Sequence, residues 1–84
     1  MLYTIVSVYD AKAQAFGRPA FVGTVPLAVR SFDDEVNRKD ENNQMNQHPE
    51  DFSLYDMGTF DDTSGVFSSH NPPKLVVDAT TLKR

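Results

Sequence analysis

Between His48 and Asp62 the chain reads as an acidic start, a strand and a turn in immediate succession. Pro49-Glu50-Asp51 suits a single helical turn, because carboxylates favour the exposed amides at a helix start. Phe52 to Phe60 then has strand composition. Its alternation predicts Phe52, Leu54 and Phe60 on one face and Tyr55, Met57 and Thr59 on the other. Asp61-Asp62-Thr63-Ser64-Gly65 is a turn, with Gly65 suited to a positive φ. Val66 and Phe67 are expected to return antiparallel against Phe60. The run therefore commits the chain to a sheet.

The rest of the sequence supplies the other pieces. Leu2 to Tyr9 is β-branched and aromatic on both parities, which predicts an interior strand. Asp10 to Pro19 reads as a connection held to the core by Phe16 and Phe21, with Phe21 to Gly23 as a short edge segment. Leu27, Ala28, Val29, Phe32 and Val36 put an apolar stripe on a helix over about 28 to 39. Two starts are open: Thr24 as cap with Pro26 in the first turn, or Ser31 with Asp34 as a capping box. Glu41 to His48, rich in Asn and Gln, reads as a surface loop. Ser68 to Pro73 reads as a connection, Lys74 to Asp78 as the last strand, and 79–84 as a flexible tail.

These elements predict one α+β domain over 1–84. A small, largely antiparallel sheet of three to five strands packs against one helix, in the order β-α-β-β-β. A chain of 84 residues without cysteine buries only about 60–65% of its unfolded surface. No disulfide or thiolate metal site can supplement that core. Nine aromatics and a second subunit are the remaining sources of stability, so a homodimer is expected, burying an edge or a face. No apolar stretch approaches the roughly 20 residues that cross a bilayer, and Met1 to Tyr9 lacks a secretory leader's design. An intracellular protein without membrane contact is the expectation.

The chemistry-bearing patterns are sparse. Asp61, Asp62 and Ser64 lack the alternating ligands and distal acid of a calcium loop. His48, Glu50, Asp51 and His70 offer metal ligands only if separate loops converge, and they form no spaced motif. No phosphate-cradling glycine loop or nucleophile elbow is present. The reading is a nonenzymatic protein with no cofactor and no metal. Net charge is −4, which argues against nonspecific polyanion binding. That charge is uneven: Asp33 to Asp62 holds ten acidic and two basic residues, whereas the flanks hold six basic and two acidic. A basic face opposite an acidic one follows if the flanks meet.

Three segments together resemble the small nonstructural protein of gokushoviruses, single-stranded DNA phages of the Microviridae. The first is the strand and turn from Tyr3 to Ala13 with Phe16-Gly17. The second is the helix around Val29-Arg30-Ser31-Phe32 and Glu35-Val36-Asn37. The third and most characteristic is His48-Pro49-Glu50-Asp51-Phe52, Leu54-Tyr55, Gly58 and Phe60-Asp61. The resemblance implies a protein of the host cytoplasm, absent from the mature virion. It implies support of the switch to single-stranded genome synthesis and packaging.

Two modes of action follow. In one, Lys12, Arg18, Arg30 and Lys74 neutralise DNA phosphates while Phe16 or Tyr9 stacks a base of a single strand. In the other, a dimeric adaptor contacts viral or host replication or procapsid proteins through Glu50, Asp51, Asp61 and Asp62. The same aromatics (Tyr3, Tyr9, Phe16 and Phe21) are also the obvious core of so small a domain.

Overall fold

Residues 1–84 are described by a computed structural model. Leu2–Asp10 forms β1, the interior strand that its two apolar parities predict. One edge of β1 pairs with β2 (Ala15–Phe16) and β3 (Ala20–Val22), both antiparallel. These two short strands lie along a single edge, interrupted at Gly17-Arg18-Pro19, where the Gly17 N–H still donates to the Val8 carbonyl at 2.8 Å. The other edge of β1 pairs with β4 (Phe52–Asp61), which in turn pairs with β5 (Val66–Asp78). The sheet order is β2-β1-β4-β5, with β3 beside β1, and every pairing is antiparallel.

Helices cover one face. α1 (Val25–Asn37) starts where Thr24 caps it, its hydroxyl accepting from the Leu27 N–H, with Pro26 in the first turn. The Ser31 alternative falls inside the helix. Ala28, Phe32 and Val36 point inward and meet Val6 and Leu54 from the sheet. Burying a side chain the size of Phe, Val or Leu contributes about 1.5–3 kcal/mol, so this small cluster is the main source of stability. α2 (Gln44–Gln47), a 3₁₀ turn (Pro49–Asp51) and α3 (Ala79–Leu82) complete the layer.

The α+β class and the largely antiparallel sheet stand, but the expected order and single helix do not. The chain runs β-β-β-α-α-3₁₀-β-β-α. The amide-rich stretch after α1 is not a passive loop. Asn43 is buried, and its amide donates to the carbonyls of Glu35 at 2.8 Å and Arg38 at 3.0 Å. Asn46 donates to the Val36 carbonyl at 3.0 Å. The amides thus satisfy acceptors that the end of a helix leaves without partners.

Residues 79–84, expected as a tail, are tied to α1. Ala79 is fully buried. Asn37 donates to the Leu82 carbonyl at 3.1 Å and accepts from the Arg84 N–H at 2.8 Å. Ser68 to Pro73, expected as a connection, belongs to β5, which continues through Pro72-Pro73 across an irregular stretch opposite Asp56 to Gly58. Prolines are tolerated there because β5 is an edge strand.

One local feature sets the site. Between the pairs Ile5–Gly58 and Val6–Asp56, β4 carries an extra residue, Met57. A bulge of this kind shifts the side-chain parity of everything beyond it. Phe60 was expected to share a face with Leu54. The bulge places it instead on the face of Tyr55.

Candidate functional site

The sheet face that the helices leave open carries most of the aromatic surface. Tyr9 pairs with Phe16, and Ile5 pairs with Phe21. Ser7 pairs with Tyr55, Tyr3 with Phe60, and Phe60 with Phe67. Through the alternation of a strand, seven of the nine aromatics stand on this face. Phe32 and Phe52 are the two that pack on the helix side.

The rings form two clusters. Tyr9 and Phe16 lie 4.8 Å apart between centroids, and Tyr55 meets Phe16 edge-on at 5.2 Å. At the other end Phe60 and Phe67 lie 4.7 Å apart, with Phe21 edge-on to Phe60 at 5.6 Å. These are favourable aromatic geometries, and they hold the rings in place without covering them. Phe16, Phe21, Phe67 and Leu75 are 41%, 50%, 60% and 54% exposed. The expectation that Phe16 and Phe21 anchor the core is corrected: they pack on other rings at the surface, because the helices all lie on the opposite face.

The cations proposed for DNA do not gather there. Lys12 sits in the turn after β1 and borders a polar cleft of about 460 Å³ with Asp10, His48, Glu50 and Asp51. Arg18 lies in the interruption between β2 and β3, and Arg30 is exposed on α1. Lys74 pairs with Asp56 across β4 and β5, on the parity opposite Tyr55. Phe16 and Tyr9 therefore form part of one cluster, whereas their four expected phosphate partners are spread over a turn, an edge, a helix and the far strand.

The acidic residues are also split. Glu50 and Asp51 precede β4, whereas Asp61 is its last residue and Asp62 follows it. Asp62 receives the terminal amine of Met1 at 2.5 Å. Asp61 accepts from the Thr63 N–H at 2.9 Å, which holds its carboxyl below the ordinary range. Both are engaged in closing the turn. Glu35, by contrast, is lowered chiefly by its hydrogen bond to the Arg38 guanidinium, and Asp40 by the Asn42 backbone N–H and then Arg38. Arg84 pairs with Asp33 at 3.1 Å. Basic and acidic groups thus interleave at several points, so no basic face stands opposite an acidic one.

At the corner before β4, His48, Glu50 and Asp51 bring their ligand atoms within 4.8 Å of one another. His48 Nδ1 is 3.5 Å from Glu50 Oε1. His70 is elsewhere, 3.4 Å from Asp56. The corner is largely open to solvent, with His48 and Glu50 exposed and Asp51 half-buried. A separate apolar groove of about 320 Å³ runs between α1 and the β3 edge, past Val22, Ala28, Phe32 and Met45.

The open aromatic face was not legible from spacing, because aromatics in a small domain are core residues by default. The hidden signal was Gly58. It adopts φ +132° at the bulge that moves Phe60 across the sheet.

The fold and its surfaces define a small two-layer α+β protein with one face of the sheet uncovered. The sequence model of the Phage ORF5 protein family matches residues 3–82, and the chain belongs to that family. It matches no curated protein and no solved structure.

Proposed function

We propose that this phage protein is a nonenzymatic, nonstructural protein of the gokushovirus type, acting in the host cytoplasm. It supports the switch to single-stranded genome synthesis and packaging, and it works as a dimeric adaptor between proteins. The observation that carries the choice of mode is the scatter of Lys12, Arg18, Arg30 and Lys74 away from an aromatic face that presents no cation of its own. Sequence-tolerant binding of single strands needs cations along the path of the backbone as well as rings for the bases. The polar corner at His48, Glu50 and Asp51 offers the adaptor an exposed anionic contact. The family membership supports the phage setting.

Direct DNA binding keeps one supporting observation: Tyr9 packs at a tilt on Phe16, which lies two residues before Arg18. Anisotropy of labelled single- and double-stranded oligonucleotides separates the two modes. The adaptor reading expects no binding below about 10 μM at 50 mM salt, and capture of a co-expressed phage replication or capsid protein that Glu50→Lys weakens. Micromolar DNA binding that falls steeply by 200 mM salt, as counterion release requires, and that Arg18→Ala weakens, would overturn it.

A further inference from the structure

We infer that the open aromatic face is the docking site for a second copy of the chain, stacked sheet to sheet about a two-fold axis. This deepens the adaptor reading and takes its biological use from it.

The accessible surface is one argument. The chain exposes 5518 Å², whereas a monomer of 9.4 kDa is expected to expose about 5,000 Å². The excess of roughly 500 Å² has a counterpart in the face itself. Four strand widths of about 4.8 Å and seven residues of about 3.4 Å outline roughly 450 Å² in plan. Two such faces buried together outline roughly 900 Å², just under the ~1,000 Å² of a stable specific interface, which is the range of a reversible dimer. Only 10 of 84 residues are buried, so the monomer's own core leaves much apolar surface uncovered.

Charge selects the occupant. The strand positions of the open face carry a single charged residue, Asp78, at the corner where its carboxylate accepts from Ser53 at 2.6 Å. Two copies of a chain of net charge −4 can therefore meet here without bringing like charges together across the interface. A polyanion would find no cation on the same strand positions. An isologous contact needs only that one patch suit itself, and edge-to-face rings such as Phe21, Phe60 and Phe67 interdigitate readily across stacked sheets.

Edge pairing, the other route to a dimer, is obstructed on both sides. β5 carries Pro72, Pro73 and Lys74, and the β2–β3 edge is broken at Gly17-Arg18-Pro19. Proline, lysine and irregularities are the usual guards of a free strand. The face is what remains.

Sedimentation velocity from 2 to 100 μM tests this. The expected species has twice the 9.4 kDa mass of the chain. Phe67→Glu and Leu75→Glu change side chains that are already more than half exposed. Each is expected to keep the far-ultraviolet circular dichroism of the native fold and weaken the dimer at least 100-fold. Leu27→Glu, on the exposed side of α1, is expected to leave it intact. A 9.4 kDa species alone at 100 μM overturns the inference. So does a dimer that resists both face variants, or a monomer whose tyrosine fluorescence is quenched by oligo(dT). A dimer that captures no phage protein supports the inference while failing the adaptor reading. A monomer that captures one fails the inference and keeps the adaptor's partner.

Discussion

Gly58 shows how much one residue can decide. Its φ of +132° lies outside what a side chain accepts, and an added methyl would collide with the Ser68 carbonyl and lie 2.9 Å from Ser69 Cα. Gly65 also has a positive φ, +74°, but nothing lies within 4 Å of the place a methyl would occupy. Gly58→Ala is therefore expected to cost at least about 2–3 kcal/mol through strain and displacement of β5, against about 1 kcal/mol for Gly65→Ala. Urea denaturation of the two variants checks the ranking. The carboxylates give a pH dependence at the same scale. Glu35, Asp40 and Asp61 are all lowered in the folded chain. Lowered acids stabilise the fold fully above their unfolded range, about pH 4–5, and lose that contribution as pH falls through the folded values. The thermal midpoint is expected to decline below about pH 4.5 through these groups, modestly because all three are at the surface. Melting curves from pH 3 to 7 show whether it does.

At the scale of elements, the helical layer is held by its ends. α1 begins at the Thr24 cap and finishes on the side-chain amides of Asn43 and Asn46. α3 closes the layer by burying Ala79 and placing Leu82 against the core cluster. Truncation after Asp78 removes both, along with the contacts to Asn37 and Asp33. It is expected to destabilise the chain by about 2–4 kcal/mol, the scale of one well-buried aliphatic side chain and its neighbours. A chemical-denaturation midpoint unchanged by the truncation would return this segment to the status of a tail. Four residues have too little length for a helical signal, because isolated helices this short do not form without tertiary contacts. The sequence therefore reads as unstructured there. β1, β4 and the turn at 61–65 were readable because each depends on neighbours within a few positions, whereas the helix start stayed open between Thr24 and Ser31 until the fold chose Thr24.

For the whole molecule, the uncovered face makes oligomeric state and stability one question. If two copies bury it, the thermal midpoint rises with protein concentration, as mass action requires for a folded dimer. Phe67→Glu is expected to abolish that dependence, which differential scanning at 5 and 200 μM reads directly. A salt-insensitive dimer is expected as well, because the face carries almost no charge.

The sequence by itself determined the class of fold, the interior place of Leu2 to Tyr9, the stripe of Ala28, Phe32 and Val36, and the turn that brings Phe67 to Phe60. All of these rest on periodicity or on short-range backbone chemistry. Tertiary structure decided which face the aromatics occupy, since the bulge between Asp56 and Gly58 exchanges the two faces of β4 partway along. It also decided that the cations do not converge. Residues as distant in sequence as Lys12, Arg30 and Lys74 can meet only if the layers bring them together, and the helices carry Arg30 to the side away from the open sheet. Periodicity says which residues share a face of one element. Only packing says whether that face is then covered.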